Sequence, residues 1–236
     1  MSENGKNFKP TVPTFVTNIY NLLVENFPHT YLVGGWVRDF LLGKKNSDID
    51  ICTTAYPDMV KNLLENNQID IVAENNPFGI IHLKHSNFSI DISTLRQEKY
   101  TRTRYPQITF THQLKQDSQR RDFTVNALYL NIKTGKITDY HRGMADLHNK
   151  VLRLIGNPET KFKEDPLRMV RALRFCLNLN FQLARTTKQS IVNNFHFLNR
   201  LNKKLIVKEL DKLKSVKQKN LLKKILSDPK MLDNYF

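Results

Sequence analysis

Cysteine, glycine and acidic residues are all scarce in this chain, and each scarcity excludes something. Only two of its 236 residues are cysteine, and Cys52 and Cys176 lie far apart inside apolar runs. That argues against a disulfide framework or a cysteine-held zinc site, and both read as core thiols in a reducing compartment. No apolar run approaches the length of a membrane span, so no membrane partner is expected. Met1 to Pro13 carries neither the apolar segment of a secretory leader nor the arginines of a transit peptide, and a cytoplasmic location is the expectation. Acids number 22 against 37 Lys and Arg, a formal net charge of +15. That surplus exceeds what solubility needs, and it lowers the cost of holding a polyanion by releasing its counterions. A codon bias toward lysine and asparagine is the competing source of the charge.

With eight glycines in all, an adjacent pair is conspicuous: Leu32-Val33-Gly34-Gly35-Trp36-Val37-Arg38-Asp39, followed after a polar turn by Asp48-Ile49-Asp50. A glycine pair lets backbone approach a phosphate closely, and aspartates spaced i,i+2 project from one side of a strand. Mg²⁺ prefers a few carboxylates plus substrate phosphates to an all-protein cage, and two such ions activate a 3′-hydroxyl while steadying the leaving pyrophosphate. The residues therefore point to nucleotidyl transfer. The blander alternative is a buried turn with two solvent-facing acids.

The hydrophobic pattern predicts a helix over Phe15 to Phe27, a strand Tyr31 to Val33, a short helix Val37 to Leu42, and a strand Asp48 to Thr53. A helix opened by Pro57 and Asp58 follows, then strands near Ile69 to Ala73, Gly79 to Lys84 and Phe88 to Leu95. From Gln97 to Gln116 the period fails and a mobile connection is expected. A helix-like start beyond Arg120 precedes strands at Leu128 to Ile132 and Ile137 to Tyr140, which lead out of the sheet. From Pro158 the pattern is helical, with Leu167, Val170, Leu173, Phe175 and Leu177 marking a buried helix. The boundary falls near Ile155-Gly156, dividing residues 1–155 from residues 156–236.

The arrangement Leu-Val-Gly-Gly-x-Val-Arg-Asp-x-Leu-Leu-Gly, then Asp-x-Asp and Thr53, closely resembles the signature of the class II tRNA nucleotidyltransferases and bacterial poly(A) polymerases, within the polymerase β superfamily. The resemblance extends from about Tyr31 to Leu183 and implies an α+β fold: a polymerase β-like head with a mixed sheet, then an all-α neck and a shortened body. It implies Mg²⁺ on Asp48 and Asp50, and contacts to the nucleotide from Gly34, Gly35 and Arg38. The run Arg120-Arg121-Asp122-Phe123-Thr124-Val125-Asn126 matches the family's second motif, which assigns Arg121, Asp122 and Asn126 to the nucleotide's sugar and phosphates. Asp139-Tyr140-His141-Arg142-Gly143-Met144-Ala145-Asp146 resembles its hinge, where Gly143 gives backbone freedom, Asp146 anchors the next turn, and His141 is an exposed bystander. A third acid belongs beside the metal pair, and both Asp91, before a Thr-Leu-Arg element, and Asp122 are candidates. Asp91 could instead merely pair with Arg96.

Glu164-Asp165-Pro166-Leu167-Arg168 matches the family's Glu-Asp-x-x-Arg templating motif. Pro166 fixes the helix start, and Asp165, Arg168 and Arg171 then lie near one face while Leu167, Val170 and Leu173 pack the other. A surface ion pair is the alternative. An aspartate accepts from the exocyclic amine of cytosine or adenine while an arginine donates to the adjacent ring nitrogen, and neither uracil nor guanine offers that order. Asp165 and Arg168 would thus select C and A without a template. Arg171 and Arg174 would meet phosphates or brace Glu164. The stretch Arg96 to Pro106 resembles the family's flexible loop, but Thr101-Arg102-Thr103-Arg104 stands where Asp-Gly-Arg is usual.

Between Arg185 and Phe236, thirteen Lys or Arg face four acids, a basic helical face suited to a phosphate backbone or simply a solvated lysine face. The expected function is addition of CMP and AMP from CTP and ATP to tRNA 3′ ends. Poly(A) addition is the alternative, favoured by the segment Arg153 to Thr160 and disfavoured by Glu74-Asn75-Asn76-Pro77-Phe78, where a Gly-Arg-Arg-Phe-like element would stand. A partial CC- or A-adding enzyme and a non-catalytic RNA-binding relic complete the set.

Overall fold

Alternation of Ile, Leu and Val with polar residues between Asp48 and Leu95 builds a sheet with one apolar face, and that face organises the first half of the molecule. The computed structural model describes Phe8, Pro10 to Thr101 and Thr103 to Phe236; Met1 to Asn7, Lys9 and Arg102, the last within the expected flexible loop, lie outside the described residues. The chain divides into two compact units. The head unit comprises residues 1–99, 107–121 and 126–143, and the helical unit residues 100–106, 122–125 and 144–236.

In the head unit, helix α1 (Thr14–Asn26) buries Val16, Ile19, Tyr20 and Leu23. Strand β1 (Thr30–Val33) runs into helix α2 (Gly34–Leu41), and β2 (Asp48–Thr53) into α3 (Pro57–Asn66), which Pro57 opens in its first turn. Strands β3 (Ala73–Asn75), β4 (Ile80–His85) and β5 (Phe88–Thr94) follow. Next come β6 (Arg96–Lys99), β7 (Gln107–Phe110), helix α4 (Leu114–Arg120), β8 (Leu128–Leu130) and β9 (Ile137–Asp139). Among the described residues seven strands form one mixed sheet in the order β3-β4-β5-β2-β1-β8-β9. Ile49, Ile51, Ile81, Leu83, Ile90 and Ile92 are all buried, while the residues alternating with them, Asp48, Asp50, His82, Lys84, Ser89 and Asp91, are not. One sheet face is thus core, and the other carries the polar groups.

Several expectations are corrected. The segment Gln97 to Gln116 is not a featureless connection: β6 and β7 pair antiparallel and α4 follows. Its strands lack an apolar alternation because Arg96 and Glu98 form an ion pair, at 3.0 Å, where a hydrophobic pair would ordinarily stand. The pair β8-β9 stays in the sheet as its edge instead of leading out of it. The third strand begins at Ala73, not Ile69, and α2 begins at the glycine pair itself.

The helical unit holds α5 (Gly143–His148, whose first residue groups with the head), α6 (Pro158–Glu164), α7 (Leu167–Leu179), α8 (Arg185–Asn194), α9 (Lys203–Asp211), α10 (Val216–Ser227) and α11 (Leu232–Tyr235). It is not wholly α: β10 (Val151–Leu152) and β11 (Gln182–Leu183) form a short parallel ladder. Helix α7 buries Leu167, Val170 and Leu173 as read, whereas Phe175 and Leu177 are only partly buried and Arg168 and Arg174 are buried instead. Cys52 and Cys176 are buried free thiols. No helix among the described residues is long and apolar enough to cross a membrane.

Candidate active site

The head's acids meet because of strand register. Strands β2 and β5 run parallel with Asp50 opposite Asp91, β4 and β5 run antiparallel with His82 opposite Asp91, and Val33 faces Asp50 from β1. Directly opposed residues share a face, so Asp50, Asp91 and His82 form a row across three strands, with Asp48 on the same face of β2. Gly34 closes one end. Its φ is +78°, and a Cβ there would lie 2.3 Å from Asp50 Oδ2, so only glycine admits both the left-handed backbone and the carboxylate. The Gly35 backbone N–H bonds to that carboxylate. Burial, with Asp91 and Asp48 adding repulsion against the attraction of Arg121, pushes the Asp50 carboxyl up to about 6. A site that resists its own negative charge is one that a divalent cation would relieve. Among the described residues no three His, Cys, Asp or Glu side chains form a closed ligand set; the aspartate pair is the open arrangement that Mg²⁺ completes with phosphates.

Asp91 does not pair with Arg96. Its Oδ1 accepts from His82 Nδ1 at 2.6 Å, while Arg96 is held by Glu98 and by the Phe78 carbonyl at 2.6 Å. Arg38 is buried and fork-bonded to Asp39, with Nε and Nη2 at 2.8 and 2.9 Å, and its Nη1 donates to Asn126 Oδ1 at 2.6 Å. Asn46 donates to the same Asp39 and accepts the Asp48 backbone N–H. Arg38, Asn126 and the first metal-candidate acid are therefore one hydrogen-bonded assembly.

The sequence reading missed Asp117. Fully buried, it accepts from Arg120 Nε, Arg121 Nε, the Tyr129 hydroxyl and the Arg96 backbone N–H. Burial alone would raise its carboxyl, but Arg120, Arg121 and Tyr129 outweigh it and hold it well below the usual carboxylate range. This hub fixes Arg121, whose charge acts on Asp50. The available signal was Asp-x-x-Arg-Arg at helical spacing, which went unread because no helix was expected there.

His141 is oriented, contrary to expectation: its Nε2 lies 2.9 Å from Ser118 Oγ. The left-handed residue of that turn is Arg142, at φ +61°, and not Gly143, whose N–H bonds to Asp139 Oδ1 instead. Asp146 does anchor its surroundings, accepting from Thr124 Oγ1 and Arg153 Nε.

In the helical unit the acids and arginines neutralise one another. Arg168, 2% exposed, donates from Nε to Asp122, from Nη1 to Glu164 and the Lys161 carbonyl, and from Nη2 to the Tyr100 hydroxyl. Four of the five guanidinium N–H groups are thus committed, and one on Nη2 is left. Asp122 also meets Arg171 Nη2 at 2.8 Å. Burial would raise the Asp122 carboxyl, yet Arg171 and Arg168 hold it below the ordinary range. Asp165 is met by Arg104 Nε at 3.1 Å and accepts the Leu167 backbone N–H. Arg174 neither braces Glu164 nor stands free: it is buried against Glu209 at 2.7 Å. A cavity of about 540 Å³ lies beside these groups, lined by Tyr100, Arg104, Lys163, Glu164, Pro166 and Arg200 among others. The structure thus gathers Asp48, Asp50, Asp91, Gly34, Gly35, Arg38, Arg121 and Asn126 in the head and Asp122, Asp165, Arg168 and Arg171 in the helical unit, with Arg174 in a separate ion pair.

Residues 30–153 match the poly(A) polymerase head domain. A CCA-adding enzyme of Lactobacillus delbrueckii is 40% identical over 189 residues, covering 78% of this chain and 46% of that enzyme. Poly(A) polymerase I of Salmonella typhi is 38% identical over 181 residues, covering 72% of this chain and 38% of that polymerase. The crystal structure of the Bacillus stearothermophilus CCA-adding enzyme in complex with CTP aligns with a TM-score of 0.73 at 31% identity, over 83% of this chain and 46% of that one. The chain therefore spans less than half the length of each. The expected α+β fold with a polymerase β-like head is the fold observed, and the chain belongs to the family of CCA-adding tRNA nucleotidyltransferases and bacterial poly(A) polymerases that share this head domain.

Proposed function

We propose that this chain carries the transfer centre and the base-selecting groups of a template-independent CCA-adding nucleotidyltransferase acting on tRNA 3′ ends with CTP and ATP in the cytoplasm. The observation that carries this reading is the Asp48, Asp50 and Asp91 face beside Gly34, charged against its own neighbours. The head unit serves transfer, and the helical unit serves base selection and as the neck and RNA-facing body.

Asp48 and Asp50 would hold Mg²⁺, which supplies activation of the 3′-hydroxyl and charge stabilisation on the triphosphate. The glycine pair at the start of α2 lets a phosphate approach the backbone closely while the Gly35 N–H stays on Asp50, and Arg38 and Arg121 add positive charge held in place by Asp39 and Asp117. Asp91 is the third acid, because register sets it against Asp50; Asp122 instead orients Arg168 and Arg171. Asp165 accepts a base amine, and the remaining Nη2 N–H of Arg168 donates to the neighbouring ring nitrogen. Arg174 has a structural role. The lysine-rich stretch after Arg185 would bind phosphates, so binding should fall steeply with salt.

Purified protein with Mg²⁺, CTP and ATP is offered tRNA transcripts lacking CCA, CA or only A, and an unstructured oligoadenylate, and the products are sized and sequenced. One to three nucleotides ending in A, on tRNA alone, supports the proposal. A long ladder of A overturns it in favour of poly(A) addition, the reading that the Salmonella relative favours, and addition of C alone leaves a partial CC-adding enzyme.

A further inference from the structure

We propose that His82 is a positioning residue of the transfer centre, acting through Asp91; this rests on the metal-centre reading given above. The Asp91 carboxylate only accepts, so the 2.6 Å contact has His82 Nδ1 as donor and Asp91 Oδ1 as acceptor. The two residues stand directly opposite each other on β4 and β5, and Asp91 stands directly opposite Asp50 on β2. His82 is therefore the outer member of the row that Asp50 begins.

That position gives the imidazole a specific task. Asp91 shares a face with Asp50 and Asp48 and is repelled by both, so an untethered Asp91 side chain would rotate away from them. The His82 N–H occupies Oδ1, which leaves Oδ2 to meet a second partner. Stability does not explain the pair. Both side chains are more than a third exposed, at 38% and 39%, and partly exposed ion pairs contribute ~0–1 kcal/mol. Hydrogen bonds that orient a metal-site carboxylate act differently, and their removal typically costs ~10- to 100-fold in metal affinity or activity.

The test compares the full chain with His82→Ala, His82→Asn, Asp91→Ala, the double variant His82→Ala with Asp91→Ala, and Asp48→Ala. Mn²⁺ binding is followed by electron paramagnetic resonance, and kcat and KM for CTP are measured on tRNA lacking CCA. His82→Ala should weaken Mn²⁺ binding and lower kcat by ~10-fold or more while KM for CTP stays within about twofold. His82→Asn, whose amide places a donor near the Nδ1 position, should recover most of the loss. The double variant should be no worse than Asp91→Ala, since a residue that acts through another adds nothing once that one is gone. If His82→Ala binds Mn²⁺ and turns over like the wild type while Asp48→Ala is defective, the role of His82 is overturned alone. An effect that adds fully to that of Asp91→Ala overturns it too. If Asp48→Ala binds Mn²⁺ at wild-type strength, the metal-centre reading itself fails, and the role given to His82 fails with it.

Discussion

The two units treat charge in opposite ways. On the open face of the head's sheet, Asp48, Asp50 and Asp91 are set side by side, and burial, against the attraction of Arg121, pushes Asp50 up to about 6, so the fold leaves these acids short of compensating charge. In the helical unit, Asp122 is bound by Arg168 and Arg171, Asp165 by Arg104, and Glu209 by Arg174 and Lys212. An unbalanced cluster invites a cation and is held by backbone that cannot move away, whereas a balanced network holds its groups rigid before any ligand arrives. The first is suited to chemistry and the second to recognition.

The largest effect should come from crowding the unbalanced cluster. In Gly34→Ala the new methyl meets Asp50 Oδ2 in a backbone conformation that alanine adopts only with strain. Displacing the carboxylate by about 1 Å should lower transfer by ~100-fold, while the strain costs only ~1–3 kcal/mol of stability. Steady-state rates and a denaturant melt read the two separately. Activity within tenfold of wild type would mean that Asp50 tolerates relocation.

Asp117 is the head's exception, a buried acid fully balanced by its neighbours, and it sharpens the contrast. Asp117→Asn leaves Arg121 without its charge partner and Arg120 with Glu98 alone, and should cost ~3–5 kcal/mol. Its pH dependence carries a sign. The folded carboxyl titrates below the unfolded value of ~3.9, so the unfolded chain takes up the proton first, and the stability Asp117 contributes is present above that pH and is lost as pH falls toward the folded value. Urea melts from pH 6 down to pH 3 should show the wild type losing its advantage over Asp117→Asn as the medium acidifies. A gap that stays constant would assign the destabilisation to shape instead of charge.

Tyr100 tests how finely the balanced network is set. Tyr100→Phe keeps the ring 4.9 Å from the Arg168 guanidinium and removes only the hydroxyl that accepts from Nη2. A loss of ~1.5–3 kcal/mol is expected, the donor being a buried charged group, together with weaker discrimination of CTP over UTP, because Arg168 then has two uncommitted N–H groups where it had one. Unchanged discrimination would remove Arg168 from base selection.

Legibility in the sequence followed the distance over which each interaction acts. Gly34, Gly35, Asp48 and Asp50 lie within one strand-helix-strand unit, and Asp165 and Arg168 within one helical turn, so short-range spacing exposed them. The family resemblance supplied the order of domains. What stayed hidden depends on register or on partners remote in sequence: Asp117 gathers Arg96 and Tyr129 from other elements, His82 meets Asp91 only through strand pairing, and Arg174 finds Glu209 on another helix. The β6-β7 hairpin was invisible for a different reason, since ion pairs stand at positions where hydrophobic periodicity would have announced strands.

The Arg174 pair supplies the smallest effect on nucleotide addition and the sharpest separation of pairing from function. Reading the motif alone groups it with Arg168 and Arg171, yet it is buried, its Nε donates to Glu209 at 2.7 Å, and its guanidinium lies 4.0 Å from the centre of the Phe175 ring. Arg174→Ala should destabilise, because the buried Glu209 then keeps only Lys212, and the loss should stay below the ~3–5 kcal/mol of a fully stranded buried charge. Replacing both ends by apolar residues of similar volume, Arg174→Met with Glu209→Leu, removes that stranded charge, and such exchanges are often neutral or stabilising by up to ~4 kcal/mol. Lys212, which bonds to the same Glu209 from a more exposed position, returns to solvent at little cost. The double variant should therefore melt near the wild type and add nucleotides at the wild-type rate with each of the four triphosphates. A folded double variant that has lost CTP or ATP addition would return Arg174 to the nucleotide site and place part of the balanced network in direct contact with substrate.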